Sequence, residues 1–136
     1  MQLVLNIPVK DLKRSKDFFA ALGFSFNPDF TDGNAACLVL GNGAYAMLIA
    51  ESFFKGFTKK EIADTAKTTE AIFSLAVESK DKVIELSHKA MQAGGKLHRS
   101  ADDHGWMYSQ SFEDPDGHIW EAFYMDEKAR PKAKQP

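Results

Sequence analysis

DPDGHIWE, residues 114–121, contains a tight turn and the start of a strand. Asp114 and Pro115 suit the first positions of a type I turn, and Gly117 takes the positive φ that follows. His118, just after the turn, is expected to be exposed. From it runs HIWEAFY (118–124), branched and aromatic enough for a strand. Working backwards, WMYSQSF (106–112) and KLHRS (96–100) read as two more strands, and Gly94-Gly95 ends a helix. That helix runs through KDKVIELSHKAMQA with Ser79 as its N-cap and Val83, Leu86, Ala90 and Met91 on one face. AIFSLAV (71–77) precedes it as a strand. The order is β-α-β-β-β.

The first half of the chain repeats this outline. LVLNIPV (3–9) reads as a strand, and Asp11 as the N-cap of a helix whose stripe is Leu12, Phe18, Phe19 and Leu22, closed by Gly23. FSFNPDF (24–30), AACLVL (35–40) and AYAMLIA (44–50) follow as strands, the last two joined across Gly41-Asn42-Gly43, a hairpin signal. Placing Asp11 on Ser79 matches Val4 with Ile72 and Val9 with Val77; after a three-residue insertion, Gly23 falls on Gly94. The reading is an α+β protein of two βαβββ modules, at about 1–51 and 71–126, with a flexible tail at 127–136. The connecting loop at 52–70 is expected to hold one short helix near 58–65, with Thr58 and Glu61 as a capping box. Phe53, Phe54 and Phe57 are expected to cap a cavity or a dimer interface, because three phenylalanines are costly to leave in water.

Composition narrows the function classes. With 136 residues, 44% hydrophobic and 26% charged, the chain can bury a real core. A formal net charge of −2 gives no broad pull toward nucleic acid or anionic membrane, and no apolar run reaches the length of a membrane span. The N-terminus has neither the basic stretch nor the small-residue cleavage site of a signal peptide. One cysteine, Cys37, excludes an intrachain disulfide and suits a reducing cytoplasm; it reads as a small buried apolar residue.

VKDLKRSKDFFAALGF (9–24) and DPDGHIWE together resemble the opening strand and helix, and the closing turn and strand, of the vicinal oxygen chelate superfamily. That superfamily includes glyoxalase I (lactoylglutathione lyase), extradiol dioxygenases, fosfomycin-modifying enzymes and bleomycin-resistance proteins. The resemblance covers about residues 3–125 and implies a cupped, mixed, half-open sheet around a cavity, a small organic ligand and, in many members, a homodimer. In metal-using members one divalent ion is held from the first and last strands of each module. Glu121 falls on the glutamate of that set. The other three positions fall on Val4, Ile72 and near Leu48, all apolar, with Glu51 expected past the strand end. A single carboxylate does not hold such an ion. Rearranged ligands, with Glu121 and His104 as candidates, are the only route to a metal; no other cofactor is expected.

Strand alternation then sorts the side chains. If Glu121 faces the cup, Ile119 and Phe123 share its face while Trp120, Ala122 and Tyr124 face the helices, and His118 lies opposite Glu121. Val4, Asn6 and Pro8, and Ile72, Ser74 and Ala76, face the cup from the two first strands. Asn6, Ser74 and Phe123 are thus candidate ligand contacts, with Trp106 and Tyr108 as stacking partners for a planar ligand. Glu121, if buried without metal, is a candidate general base. Three readings stay open: a glyoxalase-like lyase or isomerase using Glu121, a non-catalytic binding protein of the bleomycin-resistance type, and a scaffold whose cavity is vestigial.

Overall fold

The computed structural model describes residues 1–132. Module one comprises β1 (Leu3–Val9), α1 (Leu12–Ala21), β2 (Ser25–Asn27), β3 (Ala35–Gly41) and β4 (Ala44–Ala50). Helix α2 (Glu51–Phe54) opens the connection, and module two comprises β5 (Ile72–Ala76), α3 (Lys80–Gln92), β6 (Lys96–Asp103), β7 (Met107–Glu113) and β8 (Ile119–Met125). Each module is one four-stranded mixed sheet, ordered β1-β4-β3-β2 and β5-β8-β7-β6. In both, the first strand pairs in parallel with the last, so the repeat expected from the sequence is a repeat in topology.

The local chemistry is the expected one at both helix starts. Asp11 accepts the Arg14 N–H and Ser79 the Lys82 N–H, satisfying donors that the first turn leaves free. Two local expectations are corrected. The strand foreseen at 24–30 stops at Asn27, where Pro28 starts a 3₁₀ turn to Phe30. The helix foreseen near 58–65 is absent; the helical turn is α2, directly off β4. Thr58 accepts from the Lys60 N–H instead of closing a capping box. The chain beyond it is drawn toward module two, where the Thr65 hydroxyl donates to the Asp116 carbonyl. Residues 127–132 form an exposed turn after β8, and the part of the expected tail at 133–136 lies outside the described residues. No helix among the described residues is long and apolar enough to cross a membrane.

One core joins the modules. Phe18 and Phe19 of α1, Ile7 and Leu48 of sheet one, Val83 and Leu86 of α3, and Phe112 and Trp120 of sheet two belong to a single buried cluster. Phe19 meets Trp120 edge-on at 5.1 Å, and Phe18 approaches Phe112 at 6.3 Å, both across the module boundary.

Over this apolar joint lies a polar one, built by the 114–118 turn. Asp114, buried, accepts from the Asp116 and His118 N–H groups and from Trp120 Nε1 at 2.9 to 3.1 Å. Asp116, also buried, reaches into module one: it accepts the Lys10 N–H at 2.8 Å and the Ser15 hydroxyl at 3.1 Å, and pairs with Arg14 at 3.5 Å. His118 is 2% exposed, which corrects the expectation that it faces water. Its Nε2 lies 2.8 Å from the Pro8 carbonyl of β1 and its Nδ1 lies 3.0 Å from Glu70 of the connection. A carbonyl can only accept, so Nε2 donates; a carboxylate also accepts, so both contacts are satisfied together by the imidazolium. Burial lowers the His118 pKa, but the Asp114 charge, the Pro8 carbonyl and Glu70 together outweigh it, and the net direction is upward. Asp114 is also raised, first by burial, against the pull of His118 and Trp120.

Two predictions follow from this joint. Gly117 has φ +88°, and a Cβ there would sit 2.5 Å from the Thr65 carbonyl oxygen. Gly117→Ala should therefore cost more than about 2 kcal/mol in urea unfolding, from strain and displacement of the connection. The second concerns pH. A histidine whose folded pKa is raised stabilises the fold fully below its unfolded value of about 6.5, and that stability is lost as pH rises through the folded pKa. The urea midpoint should fall across that neutral-to-alkaline window, and His118→Gln should flatten the slope.

Candidate functional site

The alternation of sheet two settles which side chains meet. In the β5–β8 register Ser74 stands beside Glu121, Ile72 beside Ile119 and Ala76 beside Phe123. Across β7, Ser111 faces Glu121 and Ser109 faces Phe123. These residues share one face, opposite the one where Trp120 and Ala122 are buried against the helices. The Ser74 hydroxyl donates to Glu121 Oε1 at 2.9 Å. The other carboxylate oxygen has no such donor fixed on it by Ser74, and Glu121 is half-buried, so the full burial that would make it a desolvated base is not reached in the single chain. The result is a small polar pair set among Ile72, Ala76, Ile119 and Phe123.

The other predicted residues disperse. Tyr108 stands across from Tyr124, on the side of Phe112, and packs on the core with the Lys80 ammonium 4.7 Å above its ring. It faces the helices, away from Glu121; the parity of buried Phe112 on the same strand carries that information. Trp106 lies just before β7, half-buried, its ring 6.2 Å from that of His104. His104 is exposed in the β6–β7 connection and pairs with Asp102 at 3.2 Å, not with Glu121. Asn6 is exposed on β1 and lines a cavity of about 270 Å³ with Pro8, Phe54, Glu70 and Phe73, apart from Glu121. A cavity of about 660 Å³ lies between the edges of β1 and β5 and includes Leu3, Leu5 and Ser74 in its walls. Phe53, Phe54 and Phe57 stack edge-on on one another, with Phe53 46% and Phe57 62% exposed.

The module-one counterpart of Glu121 follows from the same register. Asn6 matches Ser74 in the repeat, and its partner on β4 is Met47. Leu48, the position expected from the sequence, pairs with Ile7 and is fully buried against the helices. The correction moves the position by one residue, which on a strand exchanges the faces, and it replaces one apolar side chain with another. The four positions that would surround an ion are thus Val4, Met47, Ile72 and Glu121, with a single oxygen donor group among them. Glu51 is at the start of α2, past the end of β4. Among the described residues no three His, Cys, Asp or Glu side chains are gathered as a ligand set. These residues do not fit a divalent ion.

The sequence matches the family model described as "Glyoxalase/Bleomycin resistance protein/Dioxygenase superfamily" over residues 2–122. Similar solved structures include a hypothetical protein from S. aureus, 25% identical with a TM-score of 0.78, covering 91% of this chain and 93% of that one. A glyoxalase/bleomycin resistance protein/dioxygenase family enzyme from Burkholderia phytofirmans is 16% identical, with a TM-score of 0.76 and 90% and 96% coverage. A glyoxalase-related enzyme from Fulvimarina pelagi is 21% identical, TM-score 0.76, with 91% and 87% coverage. Among curated proteins none matches.

The donor set generates a direct prediction. Protein purified without chelator and titrated with Zn²⁺, Ni²⁺ or Mn²⁺ should show no near-stoichiometric binding that depends on Glu121. A one-to-one complex abolished by Glu121→Gln would contradict the donor count.

Proposed function

The chain belongs to the Glyoxalase/Bleomycin resistance protein/Dioxygenase superfamily, and on that premise we propose that it binds a small organic molecule on the sheet-two face, anchored by the Ser74–Glu121 pair, without the superfamily's metal. The observation that supports this most is the pair itself. Ser74 donates to one carboxylate oxygen at 2.9 Å and leaves the other for a ligand donor, on a face shared with Ile72, Ala76, Ile119 and Phe123. Apolar walls with a few fixed polar groups are the composition of a small-molecule site. The reading is thus the binding or sequestering one. The lyase or isomerase reading rests on the same free carboxylate oxygen, which could take a proton from a bound substrate.

A second copy of the chain is the proposed partner. Leu3, Val4 and Ile72 are 59%, 49% and 56% exposed along the first strands of the two modules. Branched apolar side chains on unpaired strand edges invite pairing with another chain. Covering them would also deepen the surround of Glu121. Cys37, free and buried, fits the reducing cytoplasm expected from the sequence.

A thermal-shift screen of small organic compounds should find ligands that stabilise the wild-type chain, since a ligand at about a hundred times its Kd adds about 2.7 kcal/mol. The stabilisation should be lost in Glu121→Gln and reduced in Ser74→Ala. Ligands that stabilise both variants as well as wild type would overturn the assignment, and turnover of any hit would shift it to the catalytic reading.

A further inference from the structure

The register that puts Ser74 beside Glu121 continues to the outer strand of sheet two. Ser111 of β7 faces Glu121, and Arg99 of β6 faces Ser111. Ser74, Glu121, Ser111 and Arg99 thus form one row across four strands, on one face. Arg99 reaches that face through an irregularity. Leu97 pairs with buried Phe112 on the helix side, and in a regular strand Arg99, two residues on, would share that side. One extra residue, His98, shifts the register between them and turns Arg99 to the side of Glu121. A second shift follows between Arg99 and Asp102. Bulges re-aim side chains in this way, and they are frequent next to functional sites.

Arg99 is exposed, and the carboxylates around it have other partners. On strands β6 to β8, Asp102 pairs with His104 at 3.2 Å, Asp103 with Lys80 at 3.3 Å, Glu113 with His98 at 3.7 Å, and Glu121 accepts from Ser74 at 2.9 Å. Among the described residues Arg99 makes no ion pair. Ser111 is an independent sign. It is 7% exposed, and its hydroxyl joins none of the hydrogen bonds among the described residues. Ser87 is the described residue whose hydroxyl is fully enclosed without a partner, so the Ser111 oxygen keeps an opening onto the row.

We propose that the small molecule of the Ser74–Glu121 site is an organic acid whose carboxylate is held by Arg99 and Ser111. The proposal rests on the Glu121 reading and names its ligand class. A guanidinium meets a carboxylate bidentately, and charge-assisted bonds are about twice as strong as neutral ones. Neighbouring strands lie about 4.8 Å apart, so about 10 Å of sheet separates Arg99 from Glu121. That span keeps the ligand's carboxylate away from Glu121 and leaves room for a hydroxyl to donate to it. Ile119 and Phe123, on the same face, take the apolar part.

The test uses the whole chain and three acids, mandelate, 3-hydroxybutanoate and 3-hydroxy-3-phenylpropanoate, each against its primary amide. Isothermal titration at neutral pH should show at least one acid binding at least about tenfold tighter than its amide. Arg99→Gln should abolish that preference and leave the amide unchanged, and Ser111→Ala should weaken the acid more than the amide. Lys80→Gln removes the same charge from the helix side and should leave the preference intact. Glu121→Gln should weaken the amide, which carries no charge to be repelled. The proposal is overturned if no acid binds, if acid and amide bind equally, or if the preference survives Arg99→Gln. Equal binding of acid and amide that is lost in Glu121→Gln would leave the Glu121 site standing without Arg99. Amide binding untouched by Glu121→Gln would overturn the Glu121 reading and this proposal with it.

Discussion

The structure depends on the buried carboxylates and imidazole that the turn at Asp114–His118 sends across the module boundary. Each module is a single sheet with a single helix and cannot bury both faces of that helix alone. The two modules solve this by packing α1 and α3 into one core, with Phe19 against Trp120. Apolar packing does not by itself fix register between two such units. The turn does: Asp116 holds the Lys10 N–H and the Ser15 hydroxyl at the start of α1, while His118 holds the end of β1. Buried charges are tolerated only when paired and hydrogen-bonded, so this set of contacts admits few alternatives.

That joint places function on the other faces of the sheets. With the helices and the turn consuming one side of each sheet, the opposite side carries Ser74, Glu121 and Phe123 in module two, and Asn6 and Met47 in module one. The modules are alike in topology and unlike in chemistry. Where module two has a carboxylate with a hydroxyl beside it, module one has a thioether beside a carboxamide. The asymmetry leaves one carboxylate with apolar and uncharged polar side chains beside it, which suits binding a ligand better than holding an ion.

Much of this was legible in the sequence because it is governed by local rules. Period-two alternation assigned the faces of β5 and β8 correctly, and capping chemistry found Asp11 and Ser79. The failures share a cause: they involve partners distant in sequence. A histidine following a turn reads as exposed, yet its partners Pro8 and Glu70 lie 110 and 48 residues away. The clue was present, since His118 has the parity of Trp120 and Ala122. Tyr108 could likewise have been placed by Phe112. Met47 could not, because only the pairing of β1 with β4 fixes which residue stands beside Asn6. In place of the helix expected near 58–65 the connection is irregular, and its Thr65 hydroxyl donates to the Asp116 carbonyl 51 residues away.

The central claim is that the turn binds both modules into one cooperative unit. Native-state hydrogen exchange on Asp116→Ala tests it most directly. If the turn is the joint, the most protected amides of β4 in module one and of β7 and β8 in module two should lose protection together, by the same free energy. Loss confined to α1 and its module, with module two unchanged, would show that the modules stand independently and that the turn is only a local cap.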